Sequence, residues 1–182
     1  EQRDFGSAEQ WYRKSLAIAE KQGNEHGAAI TYGQLGNVAL AQRDFGSAEQ
    51  WYRKSLAIDE KQGNEHGAAS TYHQLGRIAE EQRDFGSAEQ WYRKSLAINE
   101  KQGNEHGAAS TYHQLRSIAF LQGRQVEAGQ WGIKAIAVFR RSDSHNAGIA
   151  ERGFKAAYDA ADENEKNQLK TLWQQANLGA FP

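Results

Sequence analysis

The chain has 182 residues, with 22 basic and 23 acidic side chains, a formal net charge of −1 and no cysteine. This balance gives no electrostatic footprint for nucleic acid or an anionic membrane, and the lack of cysteine excludes disulfides and cysteine metal sites. No apolar run approaches the ~20 residues that span a bilayer and no signal-peptide pattern opens the sequence, so we expect a cytoplasmic protein.

One stretch, QRDFGSAEQWYRKSLAI, occurs three times without change, at residues 2–18, 42–58 and 82–98, a strict period of 40 residues. Self-similarity at such a period indicates a solenoid, in which each unit buries its apolar face by stacking on the next. The one proline is residue 182, and good helix formers fill the rest of the chain. The sequence therefore predicts an all-α fold, an α-solenoid of antiparallel helix pairs.

Each repeat is predicted to hold two helices, A and B. In the second unit, helix B runs from about Phe45 to Gln62, with its apolar residues mostly at the 3,4 spacing of one buried face. Gly63 supplies the left-handed residue that ends helix B, and Asn64 caps the next helix A. That helix runs from about Glu65 to Gln82, and Gly76 gives room for a close crossing with its neighbour.

The repeat pattern also predicts the organisation of the whole chain, with nine helices and no sheet. The repeat array covers residues 1–141, as an incomplete unit 1–24, two full units 25–64 and 65–104, and a divergent unit 105–141. Residues 142–182 are expected to form a C-terminal capping pair of helices, at about 146–161 and 163–178, with a polar outer face. Because the first unit begins within a repeat, we expect a trimmed or designed array as readily as a natural one.

The residues that the units share resemble the signature of a known repeat. The spacing of Tyr72, Leu75, Gly76, Ala88, Tyr92 and Leu96 resembles the tetratricopeptide repeat signature in three near-identical units and, more loosely, in the fourth. The resemblance implies a right-handed superhelix in which the A helices line a concave groove. Two departures are that the unit has 40 residues where the family has about 34, and that the turn glycine is kept only at Gly123.

The turn position that usually holds this glycine carries arginine in the other units, at Arg3, Arg43 and Arg83. If this position requires a left-handed backbone, each arginine costs about 1 kcal/mol.

The repeats differ from one another mainly along one stripe of helix A, at positions spaced 3 or 4 residues apart. By resemblance, this stripe lines the groove that holds an extended peptide or a partner helix. The alternative is that the stripe is solvated in the middle and covered by end helices elsewhere. The predicted partner-binding residues are Ile30, Gly33, Asn37, Leu40, Ser70, His73, Arg77, Glu80, Glu81, Ser110, His113, Ser117 and Phe120.

Histidine and tryptophan recur with the repeats but have simpler explanations than a metal or a nucleic acid. Two helical turns, about 10 Å, separate His66 from His73, which is too far for easy shared ligation, so we expect surface or capping histidines. The tryptophans are expected to pack between repeats, because no basic groove accompanies them. They are Trp11, Trp51, Trp91 and Trp131.

No phosphate loop, nucleophile elbow or zinc-protease helix is present, so we predict no catalytic residue, no cofactor, no metal and no enzyme. The first functional hypothesis is therefore a protein-protein interaction scaffold that binds a peptide or protein in the groove of the A helices. The second is a self-associating module, because the first helix would expose an apolar face formed by Phe5, Trp11, Tyr12 and Leu16. End-to-end contact through terminal repeats would then give a homo-oligomer, closed or open.

Two substitutions relative to the other repeats are predicted to be coupled. Arg116 replaces the helix-packing glycine, and Gly132 replaces the tyrosine of the facing helix. We expect the Arg116 stem to fill the space left by the missing ring.

Overall fold

The computed structural model describes residues 5–142 and 144–182, apart from the side chains of residues 142 and 144. These residues form nine α-helices and no strand: α1 (Phe5–Lys21), α2 (Glu25–Ala41), α3 (Phe45–Gln62), α4 (Glu65–Glu81), α5 (Phe85–Lys101), α6 (Glu105–Leu121), α7 (Gln125–Ser142), α8 (Ser144–Ala160) and α9 (Glu163–Gln175). The predicted all-α fold of helix pairs is confirmed. α2, α4 and α6 are the A helices, and α1, α3, α5 and α7 are the B helices.

Short polar residues start the helices. The side chain of Asn64 accepts a hydrogen bond from the Gly67 amide at 3.2 Å, as the sequence predicted for this cap. Asp44 caps the B helix α3 in the same way, because its Oδ1 accepts from the Ser47 amide at 3.0 Å. Each cap satisfies an amide that the first turn of a helix leaves without a backbone partner.

Left-handed residues end the helices. Gly63 has φ 66°, which closes α3 as predicted. The arginine turns are also left-handed, with φ 60° at both Arg43 and Arg83, whereas Gly123 has φ 74° in the divergent unit. Arg3 lies outside the described residues.

The chain divides into two compact units, Glu1–Ile98 and Asn99–Pro182. The core of the first unit lies between successive helices, where two clusters bury mainly Ala, Leu and aromatic side chains. Trp51 contacts both clusters and stacks on Tyr32, with ring centroids 5.7 Å apart. This confirms the predicted packing role for Trp51. The boundary between array and cap at residues 141 and 142 stays a prediction.

The second unit ends in an aromatic cluster that the sequence did not predict. Phe154 and Trp173 are buried, and Phe181 covers both with ring-centroid distances of 5.7 Å. The Trp173 indole donates to the Gly179 carbonyl at 3.0 Å. The last helix ends at Gln175, before the predicted residue 178, because Asn177 is left-handed (φ 53°) and lets the tail fold back over the cluster.

Candidate functional site

The candidate site is a groove of about 190 Å³ in the first unit. The A helices α2 and α4 form its walls, and the B helix α3 forms its floor. We call it the α2–α4 groove. It is lined by Ala29, Ile30, Gly33, Gln34, Asn37, Tyr52, Ser55, Asp59, Asn64, Gly67, Ser70, Thr71 and Gln74.

The floor of the groove is set by a close helix crossing. A Cβ on Gly36 would lie 2.7 Å from the Tyr52 ring, so only glycine lets α2 approach α3 at this point. The buried Tyr52 hydroxyl donates to Asn37 Oδ1 at 2.6 Å, and the Ser55 hydroxyl donates to the Ala29 carbonyl at 2.8 Å. These bonds tie α3 to α2. Burial raises the pKa of Tyr52 to about 12, so its hydroxyl keeps its proton at neutral pH.

Asp59 places a carboxyl group at the end of the groove where α3 ends and α4 begins. It is 4% exposed and accepts a hydrogen bond from Asn64 Nδ2 at 2.7 Å. Burial raises the pKa of Asp59, while the hydrogen bond from Asn64 and the nearby His26 oppose that rise. Gly67 makes this approach possible, because a Cβ there would lie 2.6 Å from Asp59 Oδ1.

Sequence reasoning missed Asp59. The available signal was that this position is one of the few that vary between units, as Ala19, Asp59 and Asn99. Its place at the groove depends on the N-terminus of α4 folding over the end of α3, which the helical pattern alone does not reveal.

Four of the thirteen predicted partner-binding residues line the α2–α4 groove. They are Ile30, Gly33, Asn37 and Ser70. Ile30 is 54% exposed, and Ser70 and Asn37 are exposed as well. Leu40 is not in the groove, because it packs against the hydrophobic core of the first unit.

The other predicted residues of the first unit are engaged with neighbouring side chains. His73 lies over the ring of Tyr92 with centroids 5.2 Å apart, and burial lowers its pKa to about 4. Glu80 accepts a hydrogen bond from the Tyr92 hydroxyl at 2.7 Å. Arg77 donates to Gln74 at 3.0 Å, and Glu81 pairs with Arg43 at 3.1 Å.

The predicted residues of the second unit are divided between a cavity and the core. Ser110 and His113 line a cavity of about 200 Å³ together with His106 and Asn146. Ser117 accepts a hydrogen bond from Arg116 at 3.0 Å. Phe120 packs on an alanine cluster of the core.

Arg116 fills the space beside Gly132, as expected from the paired substitution. A Cβ on Gly132 would lie 3.5 Å from Arg116 Cδ, and one on Gly153 would lie 2.6 Å from Arg116 Cζ. The Arg116 Nε is buried without a hydrogen-bond partner, and burial lowers the pKa of this guanidinium. The side chain therefore points between helices and not into solvent.

The apolar face predicted for the first helix is only partly exposed. Trp11 is 70% exposed and Ile18 57% exposed. The exposure expected of Leu16 is wrong, because Leu16 is 8% exposed and packs on Ala28 and Leu35 of α2. Tyr12 and Phe5 are half-buried.

The described part of the chain offers a candidate neither for a metal centre nor for a membrane-spanning helix. Within it, no group of three or more His, Cys, Asp or Glu side chains is placed to hold a metal ion. Of the described helices, none combines the length and the apolar character needed to cross a membrane.

The family model of the tetratricopeptide repeat matches residues 1–61, 28–101 and 67–141. Among solved structures, BtubC (BKLC) from P. vanneervenii is similar with a TM-score of 0.82 and 20% identity, over 100% of this chain and 77% of that chain. A putative kinesin light chain from Podosopora anserina with nearly identical TPR-like repeats is similar with a TM-score of 0.72 and 18% identity, over 95% and 85% of the two chains. A comparison with curated proteins gave no match. At these identities the structural likeness shows the fold alone.

Proposed function

The chain belongs to the tetratricopeptide repeat family, and from that premise we propose that it is a non-enzymatic scaffold whose α2–α4 groove binds an extended segment of a partner protein. Domains of this fold generally mediate protein–protein interaction, and repeat arrays commonly bind partners on the surface formed by equivalent helices.

The observation that carries the proposal is the polar lining of an open groove. An extended segment brings backbone N–H and C=O groups that need partners when they leave water. Gln34, Asn37 and Gln74 line the groove, and a side-chain amide can donate and accept at once. Asn37 Oδ1 already accepts from Tyr52, which leaves its amide nitrogen to donate to a ligand.

A groove-filling variant tests this function. Gly33→Trp places an indole in the groove, and the position has room because a Cβ would lie 3.8 Å from Ser55 Oγ. The next repeat already carries an aromatic ring at this place, His73. Ala57→Trp is the matched control, because Ala57 is exposed and outside the groove.

The measurement is selection of peptides from a random displayed library on the wild-type chain, followed by titration against both variants. The proposal expects peptides that bind the wild type and Ala57→Trp equally and bind Gly33→Trp at least about tenfold more weakly, the effect of losing a central contact. Peptides that bind all three proteins equally would overturn it.

Self-association is a second candidate, supported by the exposure of Trp11. The equivalent Trp51 stacks on Tyr32, whereas among the described residues no aromatic ring stacks on Trp11. A second copy of the chain would bury this ring by association through the α1 face. Sedimentation velocity over a wide concentration range tests it, with Trp11→Gln compared with Ile30→Gln, which removes an exposed apolar side chain elsewhere. A species that grows with concentration in the wild type and Ile30→Gln, but not in Trp11→Gln, supports this candidate, and a constant monomer contradicts it.

The proposal extends to a cytoplasmic site of action and to partners that are proteins, not nucleic acids or membranes. The cysteine-free composition and the net charge of −1 support both parts. Fractionation of cells that express the natural protein tests the location, and recovery with the membrane or extracellular fraction would contradict it.

A further inference from the structure

Asp59 is the one charged side chain among the residues that line the α2–α4 groove. The groove is otherwise lined by neutral polar side chains and by Ala, Ile and Gly. The described ion pairs include no lysine or arginine that neutralises this carboxylate. Lys61, two residues away in sequence, pairs with Glu25 at 2.6 Å.

The negative charge at this position is not needed to hold the fold. In the next repeat, Asn99 occupies the equivalent place and accepts a hydrogen bond from Asn104 Nδ2 at 2.7 Å. This is the same distance as between Asp59 and Asn64. Alanine occupies the place in the first repeat and is equally buried, with Ala19 at 7% exposure. An amide or a methyl group thus suffices where the repeat needs only packing and capping.

A buried carboxylate without a cation is unfavourable for the free protein. Burial penalises the charged form, and it raises the pKa of Asp59 although Asn64 donates to it. The exposed His26 acts electrostatically on the Asp59 carboxyl group and lowers the pKa of that group. A ligand that brings a positive charge into the groove would relieve this penalty.

We propose that the α2–α4 groove recognises a lysine or arginine side chain of the partner segment, with the Asp59 carboxylate as its acceptor. This inference rests on the proposed function of the groove. The volume of about 190 Å³ exceeds the roughly 150 Å³ that encloses a benzene ring in an engineered cavity, so one long side chain fits. Its aliphatic stem lies along Ile30 and Ala29, while its charged end reaches Asp59.

The test uses groove-binding peptides, defined as library peptides whose binding is lost in Gly33→Trp. Their affinity is measured for the wild type, for Asp59→Asn and for the control Asp159→Asn. Asp59→Asn reproduces the arrangement of Asn99, so it is expected to fold. Asp159→Asn removes the same charge from an exposed ion pair with Lys155 in the second unit. Each peptide is also made with norleucine in place of its basic residue.

The inference expects a lysine or arginine at a fixed place in these peptides. Asp59→Asn should weaken peptide binding about tenfold or more. Replacing the basic residue of the peptide by norleucine should weaken binding to the wild type by a similar factor. The two changes together should weaken binding no more than either one alone, as expected for two groups in direct contact. Asp159→Asn should bind like the wild type. In a ¹³C titration of the Asp carboxyl groups, the bound peptide should lower the pKa of Asp59.

Two other results separate the claims. Groove-binding peptides without a basic residue, or with equal affinity for Asp59→Asn and the wild type, would overturn this inference while the proposed function stands. If the library yields no peptide whose binding is lost in Gly33→Trp, both this inference and the proposed function are overturned.

Discussion

Gly76 lies against the buried ring of Tyr92, so closely that a Cβ on the glycine would sit 2.7 Å from the ring carbons. The same contact recurs between Gly36 and Tyr52, also at 2.7 Å. The pair fixes how closely an A helix approaches the B helix that follows it. Since Tyr92 has 0% exposure, its ring cannot make room by moving into solvent without disturbing its neighbours.

Gly76→Ala is therefore expected to destabilise the protein by about 1–3 kcal/mol, the cost of overfilling a packed contact. Urea unfolding measures the change. The control is Gly86→Ala, where a Cβ would lie 3.7 Å from Asp84 Oδ1 in an exposed first turn. That change should leave stability unaltered or raise it by about 0.5–1 kcal/mol. Equal stability of Gly76→Ala and the wild type would refute this view of the crossing.

Arg83→Gly is expected to raise the free energy of unfolding by about 1 kcal/mol, because Arg83 holds a left-handed backbone (φ 60°) that glycine adopts without steric cost. Thermal and urea unfolding check it. Gly123→Arg is the reverse substitution at the equivalent turn of the divergent unit, where φ is 74°, and should lower stability by a similar amount. If both substitutions left stability unchanged, the strain at these turns would be relieved locally.

Arg116→Met is expected to stabilise the protein by about 1–3 kcal/mol, because it keeps the packing of the stem and removes a buried, unpaired Nε. Arg141→Met is the control, since Arg141 is exposed and pairs with Glu105 at 2.8 Å. The control should change stability by less than about 1 kcal/mol. A loss of stability in Arg116→Met would mean that the guanidinium contributes more than its stem.

Acidification should destabilise the first unit through His73. Burial lowers its pKa in the folded protein to about 4, from an ordinary value near 6.5. Between these values the unfolded chain binds the proton and the folded chain does not, so stability falls as pH drops from about 6.5 to 4. The stability is fully present above that window.

His73→Gly places in this repeat the residue that Gly33 holds in the preceding one, and it removes the titrating group. We expect the fall in stability between pH 6.5 and 4 to shrink by up to about 2 kcal/mol. His66→Gln, at an exposed position, serves as the control. Parallel pH profiles for His73→Gly and the wild type would show that other groups cause the loss.

The repeat pattern was sufficient to predict the helices, because each helix carries its own start and stop residues. Asn64 and Gly63 are local signals, and they cap and close their helices as expected. The coupling of Arg116 and Gly132 was visible because identical repeats provide a reference for each substitution.

Features that depend on neighbouring helices were harder to predict. Leu16 has the same local sequence as the buried Leu56, and its burial comes from Ala28 and Leu35 of the following helix. Glu80 and Glu81 belong to the predicted stripe, but tertiary partners, Tyr92 and Arg43, engage them. Asp59 escaped notice because its burial is set by the end of another helix.

The most direct measurement of the central claim is amide hydrogen exchange, followed by mass spectrometry, on the chain alone and saturated with a selected peptide. Residues 65–75 and 105–115 are identical, so peptic fragments distinguish α4 from α6 only where they extend beyond residue 75 or 115, whereas α2 differs from both from Ile30 onward. Binding in the α2–α4 groove predicts increased protection in fragments of residues 25–41 and in those fragments of residues 65–81 that extend beyond residue 75. Fragments of residues 105–121 that extend beyond residue 115 should show no change. Protection confined to α1 or to the second unit would contradict the assignment of this groove as the partner-binding site.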